Sequence, residues 1–313
     1  MAGSGGTTVD GRMPAVACQA KLRARPDDVA PPAGTVTMHT GACVESAQIQ
    51  IALSGALPAL LAMWFVDRLD AKRPEPPRLR RLVTGVGMAS VIPAIILELV
   101  LQAYTSSSIG SGLTYEGASF NSFAVAAGVE EACKIGVVYW VVWRRPEFDE
   151  RMDGIVYACR AGLGFALVEN IMYLLSEDSV SGQITVWVLR ALLAVPGHAL
   201  WTGMIGYCAA RRRFDRMGLG LVGGYLLAVS FHGLYDLSLF VQQPLRLEGH
   251  GDMAKLLLAA PVVLTVLAFF TVRAMARNAL HLDDADAARA AAEAALRSAE
   301  AARAQLQEPP RLY

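Results

Sequence analysis

Charge is what this sequence has little of. Acidic and basic residues make up 18% of its 313 positions, against about 25% in a typical soluble domain. The 28 basic residues balance the 28 acidic ones, so the basic footprint of a nucleic-acid-binding protein is missing. Cysteine is also sparse: positions 18, 43, 133, 159 and 208 form no CxxC pair and no zinc-ligand spacing. Cys133, Cys159 and Cys208 fall in apolar segments, where cysteine behaves as a small hydrophobe. Cys18 and Cys43 could pair if the N-terminal region is extracytoplasmic. Residues 1–46 are rich in Gly, Pro and Thr and lack the apolar core of a secretory signal, so the first spanning segment is expected to direct insertion itself. No internal repeat suggests a protein built from inverted halves.

Apolar residues are abundant, at 54%, with a mean hydropathy of +0.38. Seven runs approach the ~20 residues that a helix needs to cross a bilayer core: Ala47–Val66, Leu82–Ala103, Phe120–Trp143, Gly154–Leu175, Ile184–Ala210, Met217–Val241 and Leu256–Val272. They predict an all-α polytopic membrane bundle of about seven helices. Pro58, Pro93 and Pro196 are compatible with this, because neighbouring helices re-satisfy freed backbone groups in a membrane. The expected organisation is a disordered tail at 1–46, a transmembrane domain at 47–273 and a cytoplasmic Ala-rich helical tail at 274–313. Arg289/Glu293 and Glu293/Arg297 support the last helix at i,i+4 spacing, and Pro309 and Pro310 end it.

Basic residues concentrate in alternate loops: Arg68–Arg81, Arg144–Arg151 and Arg211–Arg216. The intervening loops Tyr104–Ser119 and Ser176–Gln183 contain no Lys or Arg. The positive-inside rule then puts the N-terminus outside and the C-terminus in the cytoplasm of a multi-pass cell-membrane protein, with Lys21, Arg23 and Arg25 as a mild counterweight.

Ionisable residues nevertheless lie deep in the predicted spans, where each costs about 2.5–3.5 kcal/mol on insertion scales. They are Glu130, Glu131 and Lys134 on the third helix, Glu169 on the fourth, His198 on the fifth, and His232 and Asp236 on the sixth, with Asn170 and Thr202 beside them. Glu130, Glu169, His198 and His232 all fall ~18–23 Å above the cytoplasmic edge at 1.5 Å per residue. Glu130/Lys134 and His232/Asp236 are i,i+4 pairs and share faces. Each member has a structural alternative: an ion pair that locks packing for Glu130, Glu131 and Lys134, an interhelical hydrogen bond for His198 or Asn170. Glu98 has no polar neighbour in sequence and reads as structural or interfacial. Arg160 is expected to reach the cytoplasm or pair with an acid, and Arg190 to reach the outer interface.

The ordered motifs EExxK at Glu130–Lys134, GFAxxEN at Gly164–Asn170, Gly197-His198 through Thr202, and Phe231-His232 through Asp236 make the chain resemble the PrsW-type intramembrane proteases, more distantly the CAAX-processing and Abi proteases. The resemblance covers roughly residues 120–240. It implies regulated proteolysis of a membrane-anchored protein within the lipid bilayer, an anti-sigma factor in the founding case.

Hydrolysis of a peptide bond needs a base, an oxyanion donor and an acid for the leaving amine. Glu130 or Glu131 is the expected base, as a coupled pair with Lys134 as counter-charge. His198, His232 and Asn170 are candidates for oxyanion stabilisation and proton transfer, Asp236 for orienting His232, and Glu169 for a supporting acid. A metal-free reaction without cofactor is expected, since the Glu pair and Lys134 can supply base and charge. The alternative is zinc, held by at least three of His198, His232, Asp236, Glu130, Glu131 and Glu169, although no HExxH is present. A proton or solute transporter and a non-catalytic scaffold are the remaining readings.

Overall fold

The computed structural model describes residues 37–108 and 114–307, and every regular element among them is helical. The disordered tail expected before Thr37, the Cys18–Cys43 pairing and the stop at Pro309 lie outside the described residues or side chains. Helices α1 (Thr37–Ser54) and α2 (Ala56–Leu69) follow one another through Gly55 and carry the first crossing, Ser46–Leu69. Helix α1 therefore begins inside the segment expected as tail. Helix α3 (Pro77–Ala89) starts at a proline, whose fixed φ suits the first helical position. It leads into α4 (Val91–Ser108), and the two make the second crossing, Pro77–Tyr104.

Helix α5 (Tyr115–Phe120), capped by the Thr114 hydroxyl on the Gly117 N–H at 3.0 Å, runs into a π-helical stretch, Asn121–Gly128, and then into α6 (Val129–Val141). Helix α7 (Arg151–Leu175) opens on a reciprocal cap in which the Glu150 N–H donates to Asp153 at 2.8 Å. Helix α8 (Val180–Leu189), a second π stretch at Arg190–Ala194 and α9 (Val195–Asp215) form one long rod. Helices α10 (Gly220–Phe240), α11 (Gln242–Leu247), α12 (Gly251–Leu257) and α13 (Ala260–Gln307) complete the chain.

Six helical segments among the described residues are long and apolar enough to cross a membrane. The expected third span, Phe120–Trp143, is helical but carries Glu130, Glu131 and Lys134, and that charge keeps it out of the six. The protein is thus an all-α polytopic membrane bundle. The last span and the Ala-rich segment are a single 48-residue helix, α13. Its polar part is not wholly solvated. Asp283 is buried against Arg151 at 2.8 Å, and Asp284 meets Lys72 at 2.8 Å and Arg73 at 2.9 Å. Farther along, Glu293 pairs with Arg297 at 3.2 Å, while Arg289 turns to Asp286 at 2.5 Å instead.

Helix α7 is the centre of the bundle, with Tyr157, Met152, Ile155 and Leu163 fully buried beside Trp201, Met204 and Ile205 of α9. Small residues allow that approach. A Cβ at Gly206 would stand 1.9 Å from the Gly154 carbonyl oxygen, and one at Gly162 would stand 2.4 Å from that of His198. The three basic loops gather at one end. Arg160 pairs with Asp67 at 2.5 Å, Arg73 with Glu150 at 2.5 Å, and Arg151 with Asp215. Arg213 donates to the Trp143 carbonyl.

Candidate active site

The adjacent glutamates of α6 leave that helix in different directions and share one cation. Lys134 is completely buried, and its ammonium has three N–H donors with three acceptors. These are Glu130 Oε2 at 2.9 Å, Glu131 Oε1 at 3.0 Å and His198 Nδ1 at 2.7 Å. The ammonium also sits 4.5 Å from the centre of the Phe165 ring. Both Glu131 oxygens are committed, since Oε1 also meets His232 Nδ1 at 3.1 Å and Oε2 accepts from the Thr202 hydroxyl at 2.8 Å. Glu130 is 7% exposed and Glu131 is fully buried. The π stretches end immediately before α6 and α9, the helices that carry Glu130 and His198. Such irregular turns recur at functional sites.

Each histidine has one ring nitrogen held by a carboxylate. His198 Nε2 lies 2.7 Å from Glu169 Oε2, and His232 Nδ1 lies 3.1 Å from Glu131 Oε1. The opposite nitrogens turn inward: His198 Nδ1 is 3.8 Å and His232 Nε2 3.9 Å from Glu130 Oε2. Trp201 stacks on His232 with ring centres 4.1 Å apart and planes 15° from parallel, which fixes the imidazole plane. With Nε2–H of His198 given to Glu169 and Nδ1–H of His232 given to Glu131, both inward nitrogens present lone pairs. Two lone pairs and a carboxylate oxygen therefore converge, and the Lys134 ammonium already meets two of these acceptors, His198 Nδ1 at 2.7 Å and Glu130 Oε2 at 2.9 Å.

The ligand atoms of Glu130, His198 and His232 lie within 4.8 Å of one another. This donor set of two imidazoles and one carboxylate fits a divalent metal, with Glu169 and Glu131 setting ring orientation behind it. Of the six residues expected to contribute to a zinc site, these three converge. Asp236 lies 3.4 Å from His232 Nε2, beside the group.

Asn170 lies elsewhere. Its amide donates to the Gly55 carbonyl at 2.6 Å, and its Oδ1 accepts from Arg190 Nε at 2.8 Å, which ties α7 to α2 and to the π turn of α8–α9. Arg190 does not reach for the outer interface as expected. It donates to Glu169 at 2.8 Å and lies over the Tyr173 ring at 3.9 Å, and the buried acid it neutralises explains the difference. Glu98, on α4, is buried at 3% exposure. Its apolar sequence context carried no signal for that. A basic residue 21 positions from Glu169 in an apolar run was the available clue to Arg190.

Residues 75–281 match the model of a family described as PrsW family intramembrane metalloprotease. The chain is 31% identical over 192 residues to Protease PrsW of Geobacillus kaustophilus, spanning 61% of this chain and 80% of that protein. It is 28% identical to Protease PrsW of Oceanobacillus iheyensis over 236 residues, 74% of this chain and 99% of the relative. The corresponding protein of Clostridioides difficile is 27% identical over 201 residues, 62% of this chain and 81% of the relative. No solved structure matches this chain. A multi-pass helical bundle that carries EExxK, GFAxxEN and both histidine motifs, and that matches the family through residues 75–281, belongs to the PrsW family of intramembrane proteases.

Proposed function

We propose that the cluster hydrolyses a peptide bond in or near the membrane segment of a membrane-anchored protein, an anti-sigma factor being one such substrate, with Glu130 as the reacting carboxylate. The observation that carries this reading is the convergence of Glu130 Oε2, His198 Nδ1 and His232 Nε2 in one buried layer. Glu131 is fully engaged by Lys134, His232 and Thr202, so it positions its neighbours. Glu130 takes a proton from the attacking water as the new C–O bond forms, then returns it to the amine nitrogen as the C–N bond breaks. Lys134, whose three N–H donors go to Glu130, Glu131 and His198, balances the charge of the glutamate pair.

A second reading rests on the two inward lone pairs. Glu130, His198 and His232 would hold a divalent metal, and Glu130 would then be a ligand instead of the base. Such an ion supplies Lewis acidity toward the scissile carbonyl and acidifies water. In favour of the metal-free arrangement, the Lys134 ammonium already meets Glu130 and His198 at 2.9 and 2.7 Å.

Purified protein incubated with a panel of single-span substrates tests the activity. The expected result is fragments from the wild type and none from Glu130→Gln. Absence of fragments from the wild type across the panel would favour a transporter or scaffold.

A further inference from the structure

A second group of carboxylates gathers at the basic end of the bundle. Asp70 follows α2, Glu75 precedes α3, and Asp153 lies in the first turn of α7. Sixteen residues separate Asp153 from Glu169 on that helix, about 24 Å at 1.5 Å per residue. The three acids are buried, at 2%, 6% and 1% exposure. One carboxylate oxygen from each lies within 4.8 Å of the others.

Glu75 accepts from the Tyr157 hydroxyl, and Asp153 Oδ2 accepts the backbone N–H groups of Asp149 and Glu150 at 2.8 Å each. Asp70 is different. Both its oxygens are buried with no hydrogen-bond partner. Arg73 does not supply one. Its Nε and Nη1 go to Glu150 and Asp284, and its buried Nη2 reaches no acceptor, Asp70 included. A carboxylate buried without a partner is strongly unfavourable. Burial accordingly pushes the Asp70 carboxyl up to about 6, and Asp153 and Glu75 share a side-chain hydrogen bond; a cation from solution would relieve the group in its charged form.

We propose that Asp70, Glu75 and Asp153 bind a hard divalent cation, Mg2+ or Ca2+, which clamps the α2–α3 turn to the start of α7. An all-oxygen donor set selects such ions over zinc, which favours imidazole and thiolate. Glu75 is shared with a cavity of about 380 Å3, lined also by Arg73, Glu147, Asp149 and Glu150, which provides the entry path. The clamp joins α2, α3 and α7 in the turn whose Lys72 and Arg73 already hold Asp284 of α13. It stands apart from the catalytic layer and does not depend on that layer's chemistry.

The test follows thermal unfolding of the full chain in detergent after chelation, with Mg2+ or Ca2+ added back and choline chloride as the ionic-strength control. Saturating divalent cation is expected to raise the midpoint by roughly 4 °C, and choline to leave it unchanged. Asp70→Asn should show no such rise, and its cation-free midpoint should equal or exceed that of the chelated wild type, because the amide removes a buried charge. His232→Ala should keep the rise, which assigns it to this cluster. Terbium gives a second measure on the wild type: Tyr157, bonded to Glu75, should sensitise its emission, with loss in Tyr157→Phe and displacement by Ca2+. The proposal is overturned by a wild-type midpoint indifferent to divalent cations, an undiminished rise in Asp70→Asn, a rise lost in His232→Ala, or terbium emission independent of Tyr157.

Discussion

His198 on α9 is aimed by Glu169 on α7, whose Oε2 lies 2.7 Å from the imidazole Nε2. The same carboxylate oxygen is held from its other side by Arg190 at 2.8 Å, so a buried acid fixes one histidine while a buried cation fixes the acid. The inward nitrogen of His198 owes its direction to that chain of contacts.

Glu169→Gln is therefore expected to lower turnover by about 10–100-fold, the usual effect of losing a partner that orients a catalytic histidine. Arg190→Met acts differently, because it leaves Glu169 buried without its cation. It should destabilise the protein by about 3–5 kcal/mol. Turnover and thermal unfolding measured on both variants separate the two effects. Unchanged turnover in Glu169→Gln would remove the orienting role.

The glutamates of α6 should respond unequally. Glu130→Gln is expected to abolish cleavage while the unfolding midpoint stays near that of the wild type, since Lys134 keeps Glu131. Glu131→Gln should lose stability together with activity, because Lys134, His232 and Thr202 all rest on that carboxylate. Near-normal cleavage by Glu130→Gln would defeat its assignment as the reacting carboxylate.

Metal content decides between Lys134 alone and a bound ion. With a metal at Glu130, His198 and His232, elemental analysis should find about one zinc or similar ion per chain, and His232→Ala should lose it together with activity. With Lys134 alone, chelators should leave cleavage unchanged, and His232→Ala should slow it with no change in metal content.

Packing at the centre of the bundle gives a stability prediction. Gly206→Ala introduces a Cβ that would stand 1.9 Å from the Gly154 carbonyl oxygen, so α7 and α9 must separate. A loss of about 3 kcal/mol is expected, with reduced turnover because His198 lies on the displaced helix. Gly136→Ala on α6 meets nothing within 4 Å and serves as the harmless control. Equal unfolding midpoints in the two variants would contradict the close approach.

The basic loops predict sidedness. Cysteines placed between Tyr104 and Ser119 should be labelled from outside intact cells, and those near Arg212 should not. The site would then open toward the outer half of the bilayer, and fragment masses should place the cut near the extracytoplasmic end of the substrate helix. Labelling in the opposite pattern would reverse this orientation.

The amino-acid sequence by itself determined where the helices run and which residues carry charge into the membrane. Crossing length and hydropathy are local properties, and so is the i,i+4 spacing that puts Glu130 and Lys134 on one face, where they lie 2.9 Å apart. The ordered motifs likewise identified the family before any packing was known. Tertiary structure alone decided which helices meet and which way each side chain turns. Arg190 turns to Glu169 on another helix, a partner that its own apolar stretch of sequence does not reveal. Asn170 belongs to a joint with Gly55, 115 positions away, and Glu98 is buried by the helices packed around it. Asp70, Glu75 and Asp153 form a cluster across 83 positions of chain. Helix formation depends on neighbours in sequence, whereas lateral packing depends on steric allowances such as Gly154 against Gly206 and on charges that find partners only after the helices assemble.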